Sequence, residues 1–274
     1  MKNTTMQMVE DYKNGASLAS LDRKYHIDKR KIRKILVENG IEIRNRSEQA
    51  KITNMNRSYS VDQEYFDKID SPTKAWILGF LAADGTVSGG RRNSIKIGLS
   101  SVDRYILEEI KEELQIEANV FDYVTSNGFP VSQLVWSSAN HKIQLAKYSI
   151  VPRKTYKKMS FLQIPDEYKI PFIFGYFDGD GNLQKNGRLQ FCANRTELLQ
   201  EFSDYLNPIL NNQTVRPVDL PSRRGFYQLT YSTLPGLELY QMFLDSGTKI
   251  FLKRKQKTFQ NIIKSRDSDN YKKK

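Results

Sequence analysis

The sequence predicts an α+β protein built from two pseudo-symmetric α-β-β-α-β-β-α repeats with curved antiparallel sheets, preceded by a small all-α unit. Three observations predict it. An apolar segment ending in Asp-Gly occurs twice, at 75–85 and at 171–181. Each copy is followed by the same order of signals: a turn-rich hairpin, a helix, a second pair of strands, a helix and a basic segment. The first 46 residues instead carry three short helical patterns and a concentration of positive charge.

The N-terminal elements come first. A helix is expected over about 5–14, stopped by Gly15. A second spans about 17–25 with Ser17 as its N-cap. A third begins after Asp28 and ends near Gly40. Ile32, Ile35 and Leu36 give the third helix one apolar stripe. Its first turns carry Lys29, Arg30, Lys31, Arg33 and Lys34, the pattern of a helix-turn-helix with a basic third helix. A polar stretch follows from about Arg44 to Asp70, with Arg44 and Arg46 at its start; as a segment of its own the basic linker is 47–70, expected to lie along a polyanion. Residues 1–60 hold 13 Lys+Arg against 7 Asp+Glu, half of the chain's net +12.

The repeats divide the remainder into 71–160, 161–265 and a basic tail at 266–274. In the first, hairpin strands are expected at 86–88 and 94–100, a helix at 102–114 and a second strand pair at 119–124 and 131–137. In the second they fall at 182–184, 188–193, 196–206, 214–220 and 226–231. The hairpin turns are Gly-rich or Asn-Gly, as tight turns require. Each repeat ends on a basic segment, around Lys154 and around Lys255, at 70 and 75 residues beyond the respective aspartate.

The totals narrow the function classes. At 274 residues, 11% aromatic and 39% hydrophobic, the chain has enough apolar material to fold. A pI near 9.5 points to a polyanionic partner. No apolar run is long enough to span a bilayer, and the N-terminus lacks the pattern of a signal peptide, so an intracellular location is expected. The single cysteine, Cys192, excludes an intrachain disulfide and a Cys-rich zinc site. His26 and His141 read as surface or helix residues rather than as the centre of a His-based hydrolase.

The paired segments carry the chemistry. Gly79 and Gly175 each stand five positions before an aspartate. A glycine inside a helix costs about 1 kcal/mol against alanine, tolerable where two helix backbones meet. Positions 75, 79 and 83, and 171, 175 and 179, form small-residue stripes, with Pro171 read as the first residue of its helix. Packing along those stripes would bring Asp84 and Asp180 together at two helix C-termini. A carboxylate there is disfavoured by about 0.3–1 kcal/mol, and two repel. A divalent cation relieves both penalties, with the carbonyls of Ala83 and Gly179 as further oxygen ligands. The alternative is that Asp-Gly only marks a helix stop and a turn.

The segments Ile77-Leu-Gly-Phe-Leu-Ala-Ala-Asp-Gly85 and Ile173-Phe-Gly-Tyr-Phe-Asp-Gly-Asp-Gly181 resemble the two namesake motifs of the LAGLIDADG homing endonucleases, over about 71–265. The second motif has Asp178 at its sixth position, where the first has Ala82. The resemblance implies a metal-dependent endonuclease acting on double-stranded DNA. Asp84 and Asp180 would bind Mg2+, or Mn2+ in its place. Lys154 and Lys255 would stand near the scissile phosphates, in catalysis or in plain phosphate contact. Ser101 and Asn194 would order water. One chain would serve both strands as a monomer, on a long and near-asymmetric target. Strands entering the major groove would read bases through Arg91, Arg92 and Lys96, and through Gln184, Arg188, Gln190, Arg216, Arg223, Arg224 and Tyr227, any of which could instead touch phosphate. Two alternatives stay open: a non-cleaving DNA-binding regulator or RNA-splicing maturase on the same fold, and a basic nucleoid protein, which explains the charge but not the repeat.

Overall fold

The computed structural model describes residues 2–49, 60–210, 215–219 and 225–271, with side chains for all but 2, 3 and 267–271. The chain divides into two compact units, Met1–Tyr59 and Ser60–Lys274. Among the described residues no helix is long and apolar enough to cross a membrane.

The first unit has helices α1 (Lys2–Lys13), α2 (Leu18–Tyr25) and α3 (Lys29–Glu38). Ser17 and Asp28 cap α2 and α3 by accepting from the amides of Ser20 and Arg30. Met8, Tyr12, Leu21, Ile32 and Leu36 form its core, with Ile35 partly buried against them. Lys29, Arg30, Lys31, Arg33 and Lys34 are exposed, so α3 buries its apolar stripe and turns its cations outward. Lys29 lies 3.8 Å from Asp22, and Lys34 lies 3.8 Å from Glu38. Arg46 is exposed too. Arg44 corrects the sequence reading. Its guanidinium lies 3.9 Å over the Tyr12 ring and donates to the carbonyls of Tyr12 at 2.7 Å and Ala16 at 2.8 Å. Both bonds come from one terminal nitrogen and satisfy carbonyls at and just beyond the end of α1, so this end of the side chain is turned into the unit.

The second unit runs α4 (Pro72–Asp84), β1 (Gly85–Val87), β2 (Ser94–Ser100), α5 (Arg104–Glu113), β3 (Phe121–Val124), β4 (Pro130–Ser137) and α6 (Ala139–Lys147). It continues with α7 (Asp166–Asp180), β5 (Gly181–Leu183), β6 (Leu189–Ala193), α8 (Thr196–Ile209), β7 (Val218–Asp219), β8 (Tyr227–Tyr231), α9 (Thr233–Asp245) and α10 (Lys253–Tyr271). The strands form two antiparallel four-stranded sheets, ordered β1-β2-β4-β3 and β5-β6-β8-β7. Gly85 pairs with Ile97 and Gly181 with Phe191; Ile97 then faces Leu134 as Phe191 faces Leu229. The two halves therefore share order and register.

Helices α4 and α7 are apolar on all sides, as central helices must be. In α4 every residue from Ala75 to Ala83 is buried, and in α7 every residue from Pro171 to Asp178. Ser71 caps α4 at the Lys74 amide, with Pro72 at the first helical position. Pro171 is not the start of its helix: it is the sixth residue of a helix that begins at Asp166. The hydrogen bond it forgoes is to the carbonyl of Glu167, on the exposed first turn, where water can replace it.

The expected linker over 47–70 is also corrected. Residues 46–49 are helical, and Asn45 and Glu48 make a capping box: Asn45 accepts from the amide of Glu48 at 2.9 Å, and Glu48 from that of Asn45 at 2.8 Å. Residues 50–59 lie outside the described residues. Residues 60–70 belong to the second unit, whose core takes up Tyr65, Phe66 and Ile69. His141, fully buried in α6, holds this segment. Trp136 Nε1 can only donate, and it reaches His141 Nδ1 at 3.1 Å, so the proton sits on Nε2, which donates to the Asp62 carbonyl at 2.5 Å. Burial lowers the imidazole's pKa and keeps it neutral.

Candidate active site at the paired helix ends

The site begins with two missing side chains. A Cβ on Gly79 would lie 2.0 Å from the Phe172 carbonyl oxygen, and one on Gly175 would lie 1.9 Å from that of Trp76. The backbones of α4 and α7 touch at these glycines, as the stripes predict. A Cβ on Gly179 would lie 2.4 Å from the Ala83 Cβ and 3.3 Å from Asp84 Oδ2. The two C-termini are thus held side by side, with an aspartate ending each.

The glycines after the aspartates do not make turns. Gly85 (φ −70°, ψ 146°) and Gly181 (φ −106°, ψ 164°) are extended, and each helix runs straight into its strand. Glycine is needed because a Cβ would lie 2.5 Å from the carbonyl oxygen of Leu81 or of Phe177. The aspartate is therefore fixed at the junction of a central helix and the first strand of its sheet.

Burial, and then the charge of Asp180, push the Asp84 carboxyl up from its ordinary 3.8 to about 6; Lys154, Lys255 and Arg254 oppose the rise. Asp180 is more open to solvent, but desolvation raises its carboxyl as well, again against Lys154 and Lys255. The pair is short of positive charge even with two lysines beside it. Among the described residues no three His, Cys, Asp or Glu side chains cluster. Two carboxylates with backbone oxygens, water and substrate phosphates are the ligand set Mg2+ ordinarily takes, so these residues fit a divalent ion.

The lysines differ from expectation and from each other. Lys154 opens a short 3-10 turn after Arg153, which is left-handed at φ 58°, and donates to the Ala83 carbonyl at 2.7 Å. That carbonyl, expected to be free for metal, is shared with an ammonium that satisfies the helix end; its second lone pair is what remains for a cation. Lys255 is buried in the first turn of α10 and donates to the carbonyls of Phe177 at 2.5 Å, Asp178 at 3.0 Å and Gly181 at 2.7 Å, not to that of Gly179. An ammonium has three N–H donors, and all three are used. Lys255 contributes charge at the end of α7 rather than a hydrogen bond to a phosphate. Burial lowers the pKa of both lysines.

Asp178 carries a part that sequence reasoning missed. Its buried Oδ2 accepts from Trp76 Nε1 and from the Leu252 amide, each at 3.1 Å. It thereby ties α7 to α4 and to the segment leading into Lys255. Arg254 extends that tie by donating to the buried carboxylate of Asp103 at 2.9 Å. Ala82 at the matching position hid this role, because the tie exists in one direction only.

Register corrects the expected water-ordering pair. Ser100, not Ser101, is the counterpart of Asn194, since both stand three positions beyond the residue paired with the glycine after the aspartate. Asn194 lines a cleft with Asp180, Lys154, Tyr176 and Arg195. Ser101 opens the 3-10 turn that follows β2.

The sheet faces sort the expected base readers. Arg91 and Arg92 are exposed in the β1–β2 turn, which Lys142 fixes by donating to the carbonyls of Gly90 and Arg92. Lys96, Gln190 and Arg188 alternate with the core residues Ile95, Ile97, Leu189 and Phe191 and so face away from the helices, with Gln184 beside Arg188. Tyr227 does not: it shares parity with buried Leu229 and Tyr231 and packs on the core. Arg216 is ion-paired with Asp204 of α8, which draws it towards the helix. Arg223 and Arg224 lie outside the described residues. Outward positions that were missed include Thr86, Gln133, Asn182, Gln228 and Thr230, and the apolar Phe121, Val131, Val135 and Val218; strict period-two alternation against the core residues was the signal for those in the longer strands.

The segment 71–147 matches the model of the LAGLIDADG-like domain. A search of curated proteins finds no match. Similar solved structures include the homing endonuclease I-DmoI in complex with DNA and Mn, at 19% identity over 63% of this chain and 96% of that one, with a TM-score of 0.42. They also include the LAGLIDADG meganuclease I-AabMI bound to uncleaved DNA (14%, 74% and 93%, 0.47) and full-length DUF199/WhiA from Thermatoga maritima (15%, 75% and 65%, 0.45). With α4 and its sheet as the matched segment, and α7 and its sheet repeating their order and register, the chain carries a LAGLIDADG-like domain at residues 71–147.

Proposed function

We propose that this chain is a site-specific endonuclease that cuts both strands of duplex DNA using divalent metal, Mg2+ or Mn2+, held between Asp84 and Asp180. The observation that carries the reading is the pair of carboxylates at two adjoining helix ends, where only a cation offsets the helix dipoles and the mutual repulsion. When bound, the metal would supply a hydroxide-like nucleophile and stabilise the leaving oxygen. The chain's own residues do the rest. Asp84 and Asp180 fix the ion at the helix–strand junctions. Lys154, with one N–H on Ala83, directs positive charge at the cleft where a phosphate would lie, and Asn194 offers an amide to water in the same cleft. Lys255 holds a fixed charge behind Asp180. Two half-sites in one chain let a monomer address both strands. The two sheets present different side chains, so the target would be long and near-asymmetric.

The test is cleavage of a randomised duplex library by the full chain with Mg2+ or with EDTA. Recovery of a defined set of cut sites in Mg2+ alone is expected. Enrichment by binding without cutting under any divalent ion would replace this reading with the non-cleaving one.

The exposed cations of α3 support a second DNA contact by the first unit. Deleting 1–59, which has a core of its own, is expected to leave cutting metal-dependent and to shorten the protected footprint. For every phosphate that the shortened chain no longer neutralises, the salt dependence of affinity should fall by roughly 0.9 log unit per tenfold salt. An unchanged footprint and salt slope would count against that role.

A further inference from the structure

We propose that the two DNA strands are held unequally at the cut: Lys157 and Arg195, with Lys154, grip the phosphates of one strand in the cleft beside Asp180, and that strand is cut first. This rests on the endonuclease reading above and adds two residues and an order to it. Lys154, Lys157 and Arg195 line the cleft that holds Asp180 and Asn194. Lys154 uses one of its three N–H donors on the Ala83 carbonyl and has the others left. Lys157 is exposed, as are Arg153 and Lys158 on the same segment, and among the described residues none of these side chains is ion-paired. Arg195 donates to the Tyr156 carbonyl at 3.0 Å and to Glu197 at 3.5 Å, which occupies two of its five donors.

The matching places beside Asp84 lack this free charge. By strand register Ser100 and Ser101 stand where the second repeat has Asn194 and Arg195. Lys255, the counterpart of Lys154, has all its donors on carbonyls. Arg254, the counterpart of Arg153, is turned to the buried carboxylate of Asp103 at 2.9 Å. Glu197 holds the place of Asp103 in the second repeat but faces Arg195, which leaves Arg153 exposed. Past Lys255 the chain continues as α10, whose Thr258 and Asn261 stand with Lys185 and Asn186 at the β5–β6 turn, the end of the hairpin far from Asp180. A cation fixed at a cleft both attracts a phosphate and offsets charge that develops on it during transfer. The same inequality therefore acts on binding and on rate.

The experiment takes a duplex that the full chain cuts in Mg2+ and measures its binding in Ca2+ with the phosphates flanking each cut ethylated, one strand at a time. An ethyl group removes a phosphate's charge and leaves the bases untouched. Binding should weaken roughly tenfold for one strand and less than about twofold for the other. In Mg2+ the sensitive strand should be cut at least about tenfold faster, seen as a nicked intermediate of a plasmid carrying the site. Lys157→Ala with Arg195→Ala, both exposed, should bring the strands within about threefold of each other in both assays. Lys253→Ala, whose charge Glu109 already opposes at 3.4 Å, should leave the difference as it is. Equal strands in the parent, a difference that the double variant keeps, or first cutting of the insensitive strand overturns this inference while the nuclease reading stands. Failure to cut any duplex in Mg2+ overturns both.

Discussion

Asp180→Asn is expected to reduce double-strand cutting by about 10³-fold or more, and Asp84→Asn to do the same, since each removes a charge that holds the cation against developing negative charge. Duplex affinity in Ca2+ should change little, because phosphate and base contacts lie on the sheets and turns. Full cutting by both variants would sink the metal site at these residues. The same substitutions carry an opposite expectation for stability. The Asp84 carboxyl titrates near 3.8 in the unfolded chain and near 6 in the fold. Between those values the fold binds more protons than the unfolded chain, so its stability falls as the pH rises through that window and stays lowered above it. Metal-free Asp84→Asn should therefore melt higher than the parent above pH 6, and the gap should close towards pH 4. Adding Mg2+ should raise the melting temperature of the parent above pH 6, and do so less as protons compete at lower pH. A variant that melts at the same temperature or lower across this range would show that the pair is not strained by its own charge.

Gly175→Ala is expected to destabilise the second unit by about 3 kcal/mol or more, at the upper end for overpacking, and Gly79→Ala similarly. The clash in each case is with main-chain atoms of the facing helix, near 2 Å, so no side chain can swing aside. The helices can relax only by separating, which also moves Asp84 from Asp180. Gly98→Ala is the control. Its Cβ would first meet Gln133 Nε2 at 3.4 Å, on an exposed face, so its stability should stay within about 0.5 kcal/mol of the parent. Urea denaturation of the three variants checks this. A Gly175→Ala protein with the parent's midpoint would mean that the helices do not pack through these glycines.

The repeat was legible because its signals are local. Helix periodicity, glycines at a fixed distance from an aspartate and turn residues between alternating strands all reside in short windows. Together they predict the order of elements, the helix pair and the place of Asp84 and Asp180. Ser17 and Asp28 were legible as caps for the same reason. What failed depends on partners distant in sequence. Residues 60–70 look polar on average, yet three apolar side chains and one carbonyl are taken up by a core containing His141. Arg44 reads as a surface cation until the carbonyls of Tyr12 and Ala16 are placed around it. Tyr227 and Gln228 differ by one residue, and a slip of one in the alternation with Leu229 and Tyr231 exchanges which one turns outward.

The site divides in the same way. The amino-acid sequence by itself determined that two carboxylates would meet at two helix ends, because small residues spaced along an apolar helix leave only one close way to pack. Tertiary structure alone decided how the lysines are used. A long flexible ammonium takes whichever carbonyls surround it: three for Lys255, which are thereby saturated, and one for Lys154. It also decided the part played by Asp178, whose two donors come from residues 102 positions before it and 74 after it. A residue's type sets which bonds it can form, but which partners it meets is set by the packing of segments that no local pattern connects.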